Sequence, residues 1–225
     1  MTQKAHIVAT YSHAHSELGH GISKSGNIQL SAYNIFKVFC DLILATISLP
    51  IIAVVAVALL VLNPFYNPGR LFFAQHRMGL NGERFKLYKF RTMSYAPYDV
   101  RGHDDPLESH RITPFAFYLR KFRIDELPNF INVLLGQMSV VGPRPDAWDH
   151  AVRYSRNIKN YAQRFQVRPG ITGLAQVRGG YAENVRAVER KARYDHFYVQ
   201  SQGIRMDLYV IRLTFAVIFT GFGAK

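Results

Sequence analysis

An uninterrupted apolar segment from Leu42 to Leu62 constrains the fold of this chain more than any other feature. The segment contains no charged residue, and as an α-helix its roughly 21 residues would be about 30 Å long, the thickness of the hydrocarbon core of a bilayer. We therefore predict a membrane-inserted helix over residues 30–63. Pro50 lies inside the segment and removes one backbone hydrogen bond, so the helix is expected to bend there.

Two paths through the membrane are compatible with this segment. A straight span would leave the N-terminus outside and the basic remainder of the chain inside, in line with the positive-inside rule. A re-entrant helix that turns back at Pro50 would leave both of its ends on the cytoplasmic side. Hydropathy does not separate the two paths, so both stay open at this point.

The positive charge of the chain is concentrated after the apolar segment. The full sequence has a net charge of +13, of which residues 1–41 contribute +1 and the segment itself contributes nothing. A basic body beside a bilayer predicts contact with anionic lipid. With 48% hydrophobic and 13% aromatic residues, the chain is not a disordered basic tail. A nucleic-acid-binding protein is disfavoured, because such proteins rarely carry an apolar run of about 20 residues.

Composition divides the rest of the chain into a tail and a body. Residues 1–29 are polar and weakly patterned, and we expect them to form a mobile tail. Residues 64–225 are long enough for one domain with its own core. We expect an α+β fold in which a small β-hairpin and amphipathic interfacial helices surround a compact body.

The β-hairpin is predicted near the start of this body. Two short runs rich in aromatic residues, Leu71–Gln75 and Phe85–Phe90, flank a tight Asn81-Gly82 turn. Lys86 is expected on one face of the hairpin. There it would either contact an anionic ligand or only keep that face solvated.

An amphipathic helix is predicted to begin at Thr113-Pro114, with Thr as the N-cap and Pro in the first helical position. Phe115, Tyr118 or Leu119, and Phe122 recur on one face at helical spacing, and the basic side chains lie largely away from it. This pattern suits a helix that lies in the membrane interface. It fits a helix packed on a soluble core equally well.

Two adjacent carboxylates, Asp125 and Glu126, come directly after this basic, aromatic helix. One interpretation is structural, because Asp is a favoured N-cap and Glu is favoured in the first turn of a helix, here predicted from Glu126 to Leu135 with a stop at Gly136. The other is chemical, because an ionised carboxylate among cations can attack an anionic phosphate. Taken alone, the pair favours the structural interpretation, and the surrounding motifs reverse that preference.

Several motifs occur in one order between Lys37 and Phe215, and through them the chain resembles the bacterial sugar transferases. This family comprises monotopic polyprenyl-phosphate phosphoglycosyl transferases. The motifs are Lys89-Phe-Arg-Thr-Met93, Asp125-Glu-Leu-Pro128, Val141-Gly-Pro-Arg-Pro145, Arg168-Pro-Gly-Ile-Thr-Gly173-Leu-Ala-Gln-Val177 and Tyr194-Asp195.

The resemblance implies an activity and a location. A phosphosugar would move from a nucleotide-sugar donor, usually a UDP-sugar, to undecaprenyl phosphate, with release of UMP and a requirement for magnesium. This step begins the assembly of exopolysaccharide, capsule, lipopolysaccharide or another glycan. The resemblance also implies a re-entrant helix hairpin broken at Pro50, and a catalytic body on the cytoplasmic face of the bacterial inner membrane. A homodimer is compatible with this and is not specified by it.

The resemblance also assigns roles to individual residues. Asp125 would be the nucleophile that carries the phosphosugar, and Glu126 its catalytic partner and a magnesium ligand. Asp195 is a second, weaker candidate for a metal ligand. Residues predicted to bind the substrates are Arg120, Arg144, Arg168, Lys86, Arg91 and Gln176. For Arg168, a structural role in fixing its Pro-Gly turn is the alternative.

The sequence departs from the family pattern at three places. Arg123-Ile124 precedes the carboxylate pair and adds a cation beside it, and Asn129 stands where Gln is usual. Arg178-Gly179-Gly180 replaces a common Asn-Gly-Arg, which leaves the identity of the sugar and the base open. The competing hypothesis is a non-catalytic, basic, membrane-bound adaptor that binds anionic lipid, in which the carboxylate pair is only a helix cap.

Overall fold

The described part of the chain begins with one 35-residue helix, α1 (Ala32–Tyr66). The structure is a computed structural model, and it describes residues 31–94, 109–179 and 185–220. The predicted mobile tail, residues 1–29, lies outside these ranges. Ser31 caps α1, because its hydroxyl accepts a hydrogen bond from the Asn34 N–H at 3.3 Å.

Helix α1 is the one helix in the described ranges that is long and apolar enough to cross a membrane, with a mean hydropathy of 2.8 over its most apolar window. Its helical conformation continues through Pro50. The predicted break of the helix at that residue is therefore not seen, and the re-entrant path stays a prediction. The buried positions of α1 recur at intervals of three, four or seven residues and so form one stripe along the helix: Asp41, Ala45, Ser48, Ile52, Leu59 and Asn63.

The β-hairpin follows α1 as the sequence predicts. Strands β1 (Phe72–Met78) and β2 (Arg84–Phe90) pair antiparallel around a turn in which Asn81 and Gly82 both have positive φ, 53° and 75°. The side chains of β2 alternate between buried and exposed over Arg84–Leu87. One face of the hairpin therefore packs on the body.

A second, parallel pair of short strands joins two distant motifs. Strand β3 (Ser139–Val141) pairs with β4 (Gly170–Thr172). A Cβ atom on Gly170 would overlap the backbone of Gly142, so the two strands can approach only because these positions are glycines. Neither glycine is among the positive-φ glycines of the described ranges, so the close approach of the two backbones is what requires them.

The remaining elements are helices that enclose these strands. Helix α2 is capped by Thr113, whose Oγ1 accepts from the Ala116 N–H at 3.2 Å, as predicted. Helix α3 ends before Gly136, whose φ of 71° fits the predicted stop. The helices after α1 are α2 (Pro114–Lys121), α3 (Asn129–Leu134), α4 (Trp148–Asn157), α5 (Leu174–Gly179), α6 (Val185–Gln200) and α7 (Ile204–Thr220).

The amphipathic stripe predicted on α2 does not lie on a single side of the helix. Ala116 and Leu119 are buried against the body, whereas Phe117, Tyr118 and Phe122 are about half exposed. Spacing alone cannot show which apolar side meets the core when aromatic residues surround the helix. Helix α2 therefore presents one apolar face to the body and a second one outward.

The body packs along the whole length of α1. In its first half, Ala45 joins a core cluster with Phe85 and Met138. In its second half, Ile52 and Leu59 pack with Phe90 and Leu119 in another cluster. The buried stripe of α1 thus follows one continuous surface of the body on both sides of Pro50.

Polar contacts fasten the beginning of α1 to the last helix. Lys37 Nζ lies 2.6 Å from Asp207 Oδ2, and the hydroxyl of Tyr33 donates to the same oxygen at 2.9 Å. Tyr198, at the end of α6, donates to Asp207 Oδ1 at 2.7 Å. One carboxylate at the start of α7 therefore connects three helices.

Candidate active site

The carboxylate pair lies in a short 3₁₀ turn, Ile124–Glu126, between α2 and α3. Arg123, directly before it, has left-handed backbone angles (φ 58°, ψ 20°), which turn the chain sharply there. Asp125 and Glu126 are each only 7% exposed. The turn thus carries two adjacent carboxylates into the interior.

Neither carboxylate acts as a helix cap. Helix α3 begins at Asn129 rather than Glu126, and its N-cap residue is Pro128, which has no side chain to accept a hydrogen bond. The Oδ1 atom of Asp125 is buried and has no hydrogen-bond partner among the described residues. The structural interpretation of the pair as a helix start is therefore wrong, because the chain needs a separate turn to pass from α2 to α3.

Glu126 is held by a cluster of cations. Lys89 Nζ donates to its Oε1 at 2.9 Å, and Arg144 donates from Nη1 to Oε2 at 2.9 Å and from Nη2 to Oε1. Arg123 Nη1 lies 3.7 Å from the same Oε1. Burial raises the pKa of Glu126, but the charges of Arg144 and Lys89 lower it by more than burial raises it. The pKa of Glu126 therefore lies well below its usual range. Glu126 is therefore ionised.

At Asp125 the effects that raise the pKa outweigh those that lower it. Burial, followed by the negative charge of Glu126, raises the pKa of Asp125, and the charges of Lys89 and Arg120 oppose that rise only in part. The sequence shows that cations lie near Asp125, but it shows neither the burial nor the ionised neighbour that raise the pKa of Asp125. An Asp125 carboxylate whose Oδ1 atom has no hydrogen-bond partner in the described ranges would be stabilised by forming a bond that neutralises its charge.

Lys89 is a site residue that we did not identify from the sequence. It lies on the same side of β2 as Phe85 and Leu87, which are buried, and this side faces the carboxylate pair. The sequence feature that could have identified Lys89 is its position in the alternation of the strand, in phase with the apolar residues whose side chains face inward. Lys86, predicted to bind substrate, has an exposed side chain on the other face. Strand alternation therefore directs it away from Glu126.

Arg91, another predicted substrate-binding residue, has a structural role. Its guanidinium group makes five hydrogen bonds, four of them to backbone carbonyls that include those of Arg70 (2.7 Å) and Met93 (2.7 Å). The group can donate five in total, so none is left for a phosphate. Arg91 holds the loop that leads from α1 into the hairpin.

The loop that carries Arg144 is supported from behind by buried charges. Arg164, 4% exposed, donates from Nη2 to the carbonyl oxygen of Arg144 and from Nη1 to Asp146. Lys191 Nζ lies 2.5 Å from Asp146 Oδ1. Helix α6 and the turn that contains Arg164 therefore determine where the guanidinium of Arg144 meets Glu126.

Asp195 belongs to this supporting cluster. Its Oδ2 lies 3.1 Å from Arg164 Nη2, and it is 1% exposed. The structure thus pairs Asp195 with Arg164 and does not bring it together with Glu126, as the predicted metal site would need. No group of three or more His, Cys, Asp or Glu side chains that could hold a metal ion occurs in the ranges described above.

The other predicted substrate-binding residues divide into two groups. Arg120 is close enough to Asp125 for its charge to lower that pKa, and Gln176 Nε2 donates to the Ile171 carbonyl (3.4 Å) that also accepts from Arg144. These two lie at the site. Arg168 lines a separate cavity, in which no residue of the carboxylate pair takes part.

Asp146→Asn provides a test of the supporting cluster through pH. Burial raises the pKa of Asp146, but Lys191 and Arg164 lower it far below its usual range. The stability that these ion pairs contribute is therefore present above the pKa of an unfolded aspartate, about 3.9, and is lost as the pH falls toward the folded-state pKa. We expect the variant to unfold at a lower temperature than the parent at pH 7, and the difference to shrink below about pH 4.

The measurement is thermal unfolding of both proteins in detergent across that pH range. Asp149→Asn, an exposed position on α4, is the matched control and should change little. A difference between variant and parent that is the same at pH 3 and pH 7 would contradict the proposed ion pairs.

Four cations surround the two carboxylates, so the site has an excess of positive charge. Lys89, Arg120 and Arg144 act on Asp125, and Arg123 lies beside Glu126. Such a site attracts anions, and phosphate groups suit guanidinium donors in particular. The arrangement can therefore bind a phosphate next to a buried carboxylate oxygen that has no hydrogen-bond partner in the described part of the chain.

A model of one protein family matches most of the chain. Residues 32–221 match the family described as bacterial sugar transferase. The chain is 36% identical over 193 residues to the UDP-N-acetylgalactosamine-undecaprenyl-phosphate N-acetylgalactosaminephosphotransferase of Aeromonas hydrophila, a match that covers 86% of this chain and 46% of that protein. It is 37% identical over 190 residues to the UDP-glucose:undecaprenyl-phosphate glucose-1-phosphate transferase of Klebsiella pneumoniae, covering 84% and 40%. The chain spans less than half the length of these two curated relatives.

A third relative is covered over most of its own length. The exopolysaccharide production protein PSS of Rhizobium leguminosarum bv. phaseoli is 41% identical over 170 residues, which are 68% of this chain and 85% of that protein. The family match includes the carboxylate pair and all the cations around it. The resemblance seen in the sequence is confirmed, and the chain belongs to the bacterial sugar transferase family.

Proposed function

We propose that this protein transfers a phosphosugar from a UDP-sugar to undecaprenyl phosphate through a covalent intermediate on Asp125. The observation that carries the proposal is the Oδ1 atom of Asp125, a buried carboxylate oxygen without a partner among the described residues, set among cations. The names of the relatives from Aeromonas and Klebsiella, both undecaprenyl-phosphate transferases, support the same reaction class. By the same resemblance, the product would begin a glycan such as an exopolysaccharide.

The reaction has two displacements at one phosphorus atom. In the first, a carboxylate oxygen of Asp125 bonds to the phosphorus that bears the sugar, and the bond to the leaving UMP breaks with its electron pair on UMP. In the second, an oxygen of undecaprenyl phosphate bonds to the same phosphorus, and the carboxylate leaves. The products are UMP and a lipid diphosphosugar, and Asp125 is regenerated.

The cations around the pair have distinct roles in this proposal. Lys89 and Arg144 keep Glu126 ionised and fixed, so that Glu126 in turn raises the pKa of Asp125. Arg120 lies close enough to Asp125 for its charge to lower the pKa of that residue, and it is the candidate for binding the acceptor phosphate. Positively charged groups placed where charge develops on phosphate oxygens are the main means of catalysis in phosphoryl transfer.

In this proposal a magnesium ion would bind together with the donor and not at a site built from several carboxylates. Both oxygens of Glu126 accept hydrogen bonds from cations, and Asp195 lies in a different cluster, so these residues do not fit a site built from several carboxylates. They fit an ion that arrives with the donor diphosphate and takes a single carboxylate oxygen of the pair, a mode that Mg²⁺ commonly uses. When bound, the ion would neutralise charge on the leaving nucleotide.

The packing of α1 supports a one-sided association with the bacterial inner membrane. A straight span would place the two ends of its apolar segment on opposite sides of a hydrocarbon core about 30 Å thick. Here the same body contacts Lys37 near one end, Ala45 in the first half, and Leu59 near the other end. We therefore favour the re-entrant path, with the body at the cytoplasmic face.

A labelling experiment in intact cells tests this path. Cys40 is the only cysteine of the sequence, so Ser31→Cys can be introduced into a Cys40→Ser background. We expect a membrane-impermeant thiol reagent to leave Cys at position 31 unlabelled until the cells are permeabilised. Asp149→Cys on the body is the matched control and should behave identically. Labelling of position 31 alone in intact cells would support the straight span.

The activity is tested with protein in detergent and a panel of UDP-sugars. We expect release of UMP from at least one of them in the presence of magnesium, and formation of a lipid diphosphosugar once undecaprenyl phosphate is added. Binding to anionic vesicles with no UMP release from any donor would favour the adaptor hypothesis instead.

A further inference from the structure

A cavity of about 260 Å³ lies between the first half of α1 and the end of α3, away from the carboxylate pair. Its walls are mostly apolar and include Val38, Leu42 and Leu135. Leu42 is 41% exposed and Leu135 is 58% exposed, so the cavity lies beside an apolar part of the protein surface. Leu42 belongs to α1, the helix that we place in the membrane.

Arg168 is the positively charged residue that lines this cavity. It is partly buried, its Nε is buried without a hydrogen-bond partner, and its guanidinium makes no hydrogen bond or ion pair among the described residues. A guanidinium next to apolar walls without a partner is unfavourable, because its donors have lost water and gained nothing in return. The arrangement therefore calls for an anion.

The carboxylate that lines the same cavity does not meet this need. Asp41 Oδ1 accepts the Val140 N–H at 3.1 Å, which ties α1 to strand β3. No ion pair joins Asp41 to Arg168 in the described ranges. An anion that neutralises the charge of Arg168 must therefore come from outside the described residues.

We propose that the cavity binds the phosphate group of an anionic membrane phospholipid, held by Arg168, with the first methylene groups of its chains against the apolar walls. Guanidinium groups bind phosphate through paired hydrogen bonds, and apolar walls at the surface of a membrane helix suit the adjoining acyl chains. The volume accommodates only part of a lipid, so the rest would lie along α1. The bound lipid would then stabilise the contact between α1 and α3. The inference rests on the proposed membrane insertion of α1 and not on the proposed catalysis.

Binding of phosphatidylglycerol to delipidated protein in a non-ionic detergent tests the proposal, without any nucleotide sugar. We expect native mass spectrometry to show one saturable site, and phosphatidylglycerol to raise the unfolding temperature. Arg168→Gln should weaken this binding at least about tenfold, because it removes the charge-assisted pair of hydrogen bonds. Arg190→Gln, the same change at an exposed position on α6, should bind as the parent does.

Two further variants help to interpret the lipid-binding measurement. Leu42→Trp narrows the cavity and leaves Arg168 in place, so it should also weaken binding, and it decides the matter if Arg168→Gln does not fold. Asp125→Asn should bind phosphatidylglycerol normally whether or not the proposed reaction is correct. Equal binding to the parent, Arg168→Gln and Leu42→Trp would overturn the proposal. It would also be overturned if undecaprenyl phosphate, and not phosphatidylglycerol, bound in an Arg168-dependent way, since the site would then belong to the acceptor.

Discussion

Asp125→Asn is expected to reduce the release of UMP from a UDP-sugar by at least about a thousandfold, because an amide cannot replace the carboxylate as a nucleophile toward phosphorus. The loss should be the same with and without undecaprenyl phosphate, since the bond to Asp125 forms before the acceptor reacts. The side chains have nearly the same shape, and none of the residues that the structure describes forms a hydrogen bond with the Oδ1 atom, so the fold should be retained. The measurement is the initial rate of UMP formation by detergent-solubilised protein.

Two controls accompany this experiment. Asp149→Asn is exposed on α4 and should leave the rate unchanged. Mass spectrometry of the parent after incubation with donor alone should show a phosphosugar on the peptide that contains Asp125, and no such adduct on the variant. UMP release by Asp125→Asn at the parental rate would contradict the covalent route, as would turnover without any adduct.

Arg144→Gln is expected to lower the same rate by about a hundredfold or more, the effect typical of removing a group that stabilises charge at a reacting centre. The change removes both hydrogen bonds from Arg144 to the buried Glu126 and leaves that carboxylate with Lys89 and the more distant Arg123. Because a buried charge that loses its partner is strongly destabilising, the unfolding temperature should fall as well. Both effects are measured on the same detergent-solubilised protein.

The double variant Arg144→Gln, Glu126→Gln separates the two effects. If the ion pair is what holds this part of the site together, removing both charges should recover much of the stability lost in Arg144→Gln, without recovering activity. Arg190→Gln, exposed on α6, is the control for loss of one positive charge. Additive losses of stability in the double variant would show that Arg144 and Glu126 act independently, contrary to the structure.

Local features of this chain could be predicted from the sequence with good accuracy. The cap at Thr113, the hairpin turn at Asn81-Gly82 and the end of α3 before Gly136 all follow from residues within a few positions of one another. Backbone preferences of this kind act over one turn of chain and need no knowledge of the rest of the fold. The motif order was specific enough to identify the family as well.

The partners of the charged residues could not be predicted from the sequence. Lys86 and Lys89 lie three positions apart on one strand, yet only Lys89 reaches Glu126. Arg91 was expected at the substrate and instead binds backbone carbonyls of a loop about 20 residues earlier. Charges can be paired in many ways in a sequence, and the choice among them depends on contacts between elements that are distant along the chain.

The pKa values of the carboxylate pair depend even more on tertiary structure. Residue types and spacing were sufficient to predict an apolar helix long enough to cross a membrane, a basic body and a pair of acids within it, because hydrophobicity and charge are properties of each residue. The opposite directions in which the two pKa values shift were decided by burial and by cations brought in from β2 and from the loop after β3. Electrostatic free energies depend on distance and on exclusion of water, and both are set only when these elements pack together.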